Sequence, residues 1–183
     1  DTCNLQYRYP KDSQEFLNEF YQEDYAVDTH MITDFPSDEN LKELMEQNFP
    51  NLRDHAPYIK PLFDKEDIRV IDYGCSWGYN VHKLKKSGLD AQGFELSLPR
   101  AKLGEKLGLE IATKEEQIQT NNDVFFNSHV IEHLPDIKAL ITLAKRVLNE
   151  EGIFMAICPN GTDAYRKREP EVFHVNWGFL HPN

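Results

Sequence analysis

The sequence predicts an α/β fold in which helices cover both faces of a mostly parallel sheet. Beyond about residue 65, short strand patterns alternate with longer helical patterns. The strand patterns are continuously apolar rather than alternating, which is typical of strands buried on both faces. Glycines stand at the ends of two helical patterns, at Gly88 and Gly108, where a left-handed backbone stops a helix. Strands that alternate with helices indicate a doubly wound sheet.

The N-terminal third of the chain predicts short helices joined by loops that contain proline. A first helix begins at Asp12 or Ser13 and a second at Ser37, since both places offer a capping side chain. A third helix is bent or broken at Pro57 or Pro61, because proline lacks a backbone donor and clashes with the preceding turn.

Five strand patterns and three helical patterns then follow. The strands are expected at residues 68–73, 90–96, 109–113, 123–131 and 152–160. The helices are expected at residues 80–88, 97–108 and 135–152. Ser97 would cap the second of these helices, and Gly152 would end the third. Ligands of such sheets bind beyond the carboxyl ends of the strands, so these loops are the place to look for chemistry.

Composition and charge exclude several classes of partner. The 183 residues carry a net charge of −11, and residues 12–46 contain eleven carboxylates against one lysine. Such a surface repels nucleic acid and anionic lipid, so neither is expected as a partner. The three cysteines form no CxxC pair, which favours a reducing, cytoplasmic location. No apolar run approaches the roughly 18 residues of a membrane span, and no signal-peptide pattern is visible.

The stretch "VIDYGCSWGY" places a carboxylate and a glycine turn at the end of the first strand. A phosphate-binding P-loop would need Lys-Ser or Lys-Thr after its second glycine, but Tyr79 and Asn80 follow Gly78. A dinucleotide fingerprint would need glycines where Ser76 and Tyr79 stand. Asp72 is also unfavourable beside a pyrophosphate, so the turn suits a different ligand.

S-adenosylmethionine fits this turn better, because its sulfonium, ammonium and carboxylate groups leave it with a net positive charge. Asp72 can face the cations, and the following helix N-terminus can receive the carboxylate. Rings at Tyr73, Trp77 or Tyr79 could face the sulfonium, although each ring alone is more typical of packing. Glu95 ends the second strand 23 positions after Asp72, where a carboxylate can accept hydrogen bonds from ribose hydroxyls.

Residues 65–160 resemble the class I S-adenosylmethionine-dependent methyltransferases, which have a Rossmann-like fold. "DYGCSWG" is similar to the family's first motif, "GFELS" to its acidic second motif and "NSHVIEHLPD" to its fourth. The family often has a further glycine where Ser76 stands. The resemblance is greatest to the subgroup that includes quinol methylases and methyltransferases of sugar pathways.

The resemblance implies a cofactor site on three loops. Gly74, Cys75 and Ser76 would wrap the methionine end, and Glu95 would hold the ribose. Leu96 would flank the adenine, whose far side would be closed by residues 114–117. The full set of expected cofactor-binding residues is Asp72, Tyr73, Gly74, Cys75, Ser76, Gly78, Tyr79, Glu95, Leu96, Asn127, Ser128 and His129.

The stretch "HVIEH" supplies the candidate catalytic residues, His129 and His133. Four positions apart, they would share one face of a helix, and histidine is a suitable general base near neutral pH. Some relatives bind a divalent metal here, which makes His129, Glu132 and His133 with His174 or His181 an alternative ligand set. Without a metal, the glutamate would cap locally and a histidine would pack on the cofactor.

Three regions follow from this interpretation: an N-terminal helical lid (1–65), a cofactor-binding core (66–160) and an acceptor-facing segment (161–183). Tyr21, Tyr25 and His30 are candidates for contacts from the lid. His174, Trp177 and His181 are candidates for the acceptor side.

Family members continue with a helix and an antiparallel hairpin that complete a seven-stranded sheet of order 3-2-1-4-5-7-6. Without those elements the fifth strand is expected to be an exposed edge. Truncation of the chain is the favoured explanation, and the alternative is that another chain, such as a second copy, covers this edge.

The functional expectation is an S-adenosylmethionine-dependent methyltransferase that acts on a small molecule, at the oxygen of a sugar, quinol or similar metabolite. A nucleoside-binding module without turnover and a nicotinamide-dependent oxidoreductase are the alternatives. A protein-interaction domain that uses the acidic N-terminal helices is a third.

Overall fold

A five-stranded, entirely parallel sheet organises the chain, with strand order β3-β2-β1-β4-β5. The computed structural model describes residues 13–23, 25, 45, 54–160 and 162–171. Strand β1 lies at the centre, and the order reverses on either side of it, between β2 and β4. This reversal places the carboxyl ends of β1, β2 and β4 around one crevice, as the sequence predicts.

The helices and strands alternate through most of the described chain. The strands are β1 (Arg69–Tyr73), β2 (Asp90–Phe94), β3 (Ile111–Ala112), β4 (Asn122–Ser128) and β5 (Leu148–Ile157). The α-helices are α1 (Gln14–Gln22), α2 (Ala56–Ile59), α3 (Tyr79–Lys86), α4 (Leu98–Lys106), α5 (Ile137–Val147) and α6 (Asp163–Arg168). Short 3-10 turns cover Lys60–Leu62, Glu115–Gln117 and Ile131–His133.

The sheet is buried on both faces because successive strand residues enter two separate cores. Val70 and Val124 pack on one face with residues of α2, α3 and α4. Ile71 and Phe125 pack on the other face with α5. All four side chains are completely buried, which explains why the strands read as continuous apolar runs.

Several predicted boundaries are confirmed. Helix α1 begins after Ser13, whose hydroxyl accepts a hydrogen bond from the Phe16 N–H at 3.1 Å. The third predicted helix breaks after Ile59, where Pro61 falls in a 3-10 turn, while Pro57 sits harmlessly in the first turn of α2.

The predicted start of α4 is confirmed, whereas the predicted end of α5 is wrong. Ser97 occupies the N-cap position of α4, although its side chain makes no capping hydrogen bond. Helix α5 ends at Val147 rather than at Gly152, because residues from Leu148 onward pair with β4 as strand β5. Sheet pairing therefore overrides the helical pattern at this point.

Other predictions concern residues outside the described ranges, including a helix beginning at Ser37. Within the described residues β5 lies at the sheet edge, as expected. None of the described helices is both long and apolar enough to cross a membrane.

Candidate active site

Asp72 is a buried carboxylate near the end of β1, only 3% exposed. The Asn80 side chain of α3 donates a hydrogen bond from Nδ2 to Asp72 Oδ2 at 3.0 Å. Burial raises the pKa of Asp72 to about 7, and the charge of Glu95 adds to this effect, while the hydrogen bond from Asn80 opposes it. A negative charge at Asp72 is therefore costly in the absence of a cation.

The turn between β1 and α3 is held open by two glycines with a left-handed backbone. Gly74 has φ of 80° and Gly78 has φ of 90°. The N–H groups of Gly74 and Cys75 donate to the Phe94 carbonyl at 2.8 and 3.0 Å. These hydrogen bonds fasten the turn to the end of β2, so the two strand ends form one rigid rim.

Ser76 also has a positive φ, 53°, which is unfavourable for a residue with a β-carbon. This conformation aims the Ser76 N–H at Glu95 Oε2, at 2.9 Å. The Ser97 N–H donates to the other carboxylate oxygen at 2.7 Å. Burial raises the pKa of Glu95, although these N–H groups and the positive charge of Arg100 oppose the rise.

Asn127, near the end of β4, has a buried oxygen whose hydrogen-bonding capacity is unused. The side chain is completely buried, and its Nδ2 donates to the Met155 carbonyl at 3.4 Å. Its Oδ1 has no hydrogen-bond partner among the described residues. Ser128 follows as the last residue of β4 and is partly exposed. Buried polar atoms without partners are rare and are typical of sites that receive a ligand.

His129 and Glu132 form a close pair just beyond β4. His129 Nδ1 lies 3.3 Å from Glu132 Oε1; the histidine side chain is 56% exposed and the glutamate 6%. Burial raises the pKa of Glu132, but the hydrogen bond from His129 and other nearby groups outweigh it and lower the pKa overall. The backbone of His129 is strained, with φ of 56°. Strain of this kind concentrates at functional sites.

The prediction that His129 and His133 share a helical face is wrong. Only Ile131–His133 is helical, as a single 3-10 turn, and His129 lies before it with a left-handed backbone. The alternative metal set stays a prediction: the described residues contain no group of three or more potential metal ligands, but the set also includes residues outside the described ranges. His174 and His181 lie outside the described ranges, as do His30 and Trp177.

The aromatic residues of the turn pack inside the protein. Tyr73 stacks on Phe94, with ring centroids 4.6 Å apart, in the core that includes α5. Trp77 and Tyr79 contact each other and Leu103, in a cluster between α3 and α4. The Tyr79 hydroxyl is buried with no partner among the described residues. These placements favour the packing interpretation of the three rings.

Cys75 is buried in the sheet core, where burial raises the pKa of its thiol well above the usual value. Within the turn, its backbone N–H donates to the Phe94 carbonyl and its Sγ lies 3.6 Å from the Ser76 carbonyl oxygen. Leu96 is 40% exposed beside Glu95, and its contact with adenine stays a prediction. In residues 114–117, Gln117 Oε1 accepts from the N–H groups of Thr113 and Lys114, so this side chain is used to stabilise the loop.

Helix α1 lies close to the strand ends. Burial raises the pKa of Tyr21 to about 12, with further contributions from Tyr25, Glu95 and Glu132. Tyr21 is therefore near Glu95 and Glu132.

Four residues of the site were not identified from the sequence: Gln22, His55, Asn80 and Arg100. Asn80 bridges Asp72 and His55, and its Oδ1 lies 2.9 Å from His55 Nδ1. Arg100 binds Ser76, and Gln22 binds the loop after β2. Only for Arg100 does the sequence offer a signal: in "SLPRAKLG" a charged residue stands at a position of the helical pattern that is expected to be buried.

Three structures show how the fold compares with known proteins. A Methanococcus maripaludis structure described as a putative S-adenosylmethionine-dependent methyltransferase has a TM-score of 0.53 and 16% identity, over 68% of this chain and 64% of that one. Haemonchus contortus phosphoethanolamine N-methyltransferase 2, in complex with S-adenosylmethionine, has a TM-score of 0.50 and 17% identity, over 70% and 35%. The plantazolicin methyltransferase complex with S-adenosylhomocysteine has a TM-score of 0.50 and 16% identity, over 66% and 48%.

These alignments cover less than two thirds of each neighbour, and at such identities they show the fold alone. No curated protein matches the chain in sequence. The family model described as "Methyltransferase domain" matches residues 38–183, which is most of the chain. This protein therefore belongs to the methyltransferase-domain family.

Proposed function

We propose that this protein is a methyltransferase that uses S-adenosylmethionine and methylates a small molecule. The observation that carries the proposal is the pair of buried carboxylates, Asp72 and Glu95, on either side of the glycine turn. Two negative groups in a poorly solvated crevice favour a ligand with net positive charge. S-adenosylmethionine is such a ligand, whereas a dinucleotide or nucleoside triphosphate is not.

The chemistry of the crevice also fits the remaining parts of this cofactor. Glu95 Oε1 and Oε2 each accept one backbone N–H, which leaves lone pairs for ribose hydroxyls. The unpartnered Asn127 Oδ1 offers an acceptor for an ammonium or amino group. The first-turn N–H groups of α3 have no partner within the helix and suit the cofactor carboxylate. When bound, the cofactor supplies an electrophilic methyl group on sulfur.

His129 is our candidate general base, and Glu132 is its orienting partner. If Glu132 is ionised, as its lowered pKa indicates, it accepts the Nδ1 hydrogen of His129. This tautomer leaves Nε2 free to take a proton from an acceptor. A hydroxyl acceptor needs such a base, which is why we propose methylation at oxygen, with sugars and quinols as the first classes to test. His133 is the second candidate, since it follows in the same loop.

Isothermal titration calorimetry with S-adenosylhomocysteine tests cofactor binding without requiring an acceptor. Asp72→Asn and Glu95→Gln should each weaken binding by about tenfold or more, because the first removes the charge that faces the ligand's ammonium and the second weakens the hydrogen bonds to its ribose hydroxyls. Asp123→Asn is a matched control: Asp123 is also buried on a strand, but at the opposite end of β4, where it binds Lys65 and the Arg69 N–H. It should lower the melting temperature without changing the dissociation constant.

Unchanged affinity in both variants would contradict the proposal. Binding of a nicotinamide dinucleotide in preference to S-adenosylhomocysteine would favour an oxidoreductase instead. Tight cofactor binding without methyl transfer to any acceptor would favour the nucleoside-binding module.

A further inference from the structure

Arg100 is an arginine with no exposed surface, on the first turns of α4. A guanidinium is rarely buried completely, because its charge must be satisfied by specific hydrogen bonds. Arg100 lies on the helix that follows β2, next to the hydrogen bond between Ser76 and Glu95, which we call the Ser76–Glu95 junction. Packing alone does not explain a buried charge at this place.

The guanidinium joins two separate parts of the chain. Nη1 donates to the Ser76 hydroxyl at 2.8 Å. On its other side, Nη2 and Nε donate to the Tyr25 carbonyl at 2.8 and 3.2 Å. The Tyr25 ring also lies over the guanidinium, with its centroid 4.0 Å from Cζ. Tyr25 follows α1, 75 positions from Arg100 in sequence, so the contact is purely tertiary.

Gln22 forms a second fastening between the same two parts. Its Nε2 donates to the Leu96 carbonyl at 2.7 Å, and its Oε1 accepts from the Leu98 N–H at 3.1 Å. Leu96 and Leu98 stand on either side of Ser97, whose N–H binds Glu95. Arg100 therefore acts on one backbone donor to the Glu95 carboxylate, Ser76, and Gln22 acts on the loop that carries the other donor, Ser97.

We propose that Arg100 is a positioning residue that couples the docking of α1 and Tyr25 to the geometry of the Ser76–Glu95 junction. The proposal rests on the proposed function in taking this junction as the ribose end of the cofactor site. By its hydrogen bond to the Ser76 hydroxyl, Arg100 holds Ser76 in the strained conformation that directs the Ser76 N–H to Glu95. Cofactor binding and segment docking then reinforce each other, since each favours the same arrangement.

Electrostatics supports the same arrangement. The positive charge of Arg100 opposes the effect of burial on Glu95 and so favours the ionised carboxylate. The docked segment shields Arg100 from water, which strengthens this interaction. Undocking would rehydrate the guanidinium and release Ser76 together.

Hydrogen exchange on the chain of residues 1–183 tests the coupling without an activity assay. Arg100→Met preserves the apolar stem and should accelerate amide exchange across α1 by about tenfold or more, while β1 and β4 stay protected. Arg100→Lys lacks the planar guanidinium that binds Ser76 and Tyr25 together. Its α1 exchange rate should therefore lie between those of Arg100→Met and the wild type. Lys102→Met, on the exposed face of α4, is the matched control. Equal α1 exchange in Arg100→Met and Lys102→Met would overturn the proposal.

Cofactor binding provides the second readout. S-adenosylhomocysteine should slow α1 exchange in the wild type but not in Arg100→Met, and Arg100→Met should bind it about tenfold more weakly. If Arg100→Met fails to fold, Ser76→Ala and Gln22→Ala each remove one fastening and should show the same effects more weakly. Ligand protection of α1 that survives all these changes would also overturn the proposal. A wild-type chain that binds no S-adenosylhomocysteine would contradict the proposed function, whereas faster α1 exchange in Arg100→Met would still support the Arg100 fastening.

Discussion

The Asn80 side chain holds the Asp72 carboxylate from behind, with Nδ2 3.0 Å from Asp72 Oδ2. Because the amide nitrogen donates to Asp72, the amide oxygen must accept from His55 Nδ1, 2.9 Å away, which fixes the hydrogen on that ring atom. His55 is buried and packs on Phe126. A buried polar chain thus orients the carboxylate that we assign to the cofactor.

Removing this support should shift the pH dependence of cofactor binding. In Asn80→Ala, Asp72 loses the hydrogen bond that favours its ionised form, so its pKa should rise above about 7. The midpoint at which S-adenosylhomocysteine binding strengthens with pH should move upward, as measured by calorimetry from pH 5.5 to 8.5. Lys86→Ala, exposed on the same helix, is the control. Identical midpoints in the two variants would contradict this role of Asn80.

Asp72 should make the ligand-free protein less stable as pH rises. Its folded pKa of about 7 lies above the ordinary aspartate pKa of 3.8, so the folded state binds more protons than the unfolded state between these pH values. Stability is therefore lost as pH rises through this window, by up to about 4 kcal/mol above it. Asp72→Asn removes the titrating group. The free energy of unfolding of the wild type minus that of the variant, measured by urea unfolding, should therefore decline from pH 4 to 7. A flat difference would show that Asp72 titrates normally.

Relief of the backbone strain at Ser76 should stabilise the folded protein. Ser76→Gly relieves the positive φ and should offset the loss of the Arg100 contact, whereas Ser76→Ala loses the same contact and keeps the strain. The glycine variant should be more stable than the alanine variant by about 1 kcal/mol. Thermal and urea unfolding measure this directly. Equal stability of the two variants would show that the backbone at Ser76 is unstrained.

His129 should affect turnover more than cofactor binding. Once an acceptor is found, His129→Gln should lower kcat by about 10²-fold or more and leave S-adenosylhomocysteine affinity within a few fold. Glu132→Gln should cause a smaller loss, since it disturbs only the orientation of His129. His133→Gln distinguishes the two histidines: a larger loss there than in His129→Gln would assign the base to His133.

The sequence by itself determined the strand and helix order, the sheet class and the two acids that end β1 and β2. These features are encoded locally, by apolar runs, by glycines with a left-handed backbone and by spacing along the chain. The end of α5 could not be read in this way, because pairing with β4 draws Leu148 into a strand. Likewise, no helix spans His129 and His133, since only a single 3-10 turn at Ile131–His133 follows β4.

Only the tertiary structure decided which polar residues support those acids. Arg100 contacts Tyr25 across 75 positions, and His55 contacts Asn80 across 25, so no local pattern records either pair. It also decided that Tyr73, Trp77 and Tyr79 pack in cores, since which side of the turn a ring faces depends on the neighbouring helices. Local periodicity specifies elements, whereas the partners of a buried charge depend on how distant elements meet.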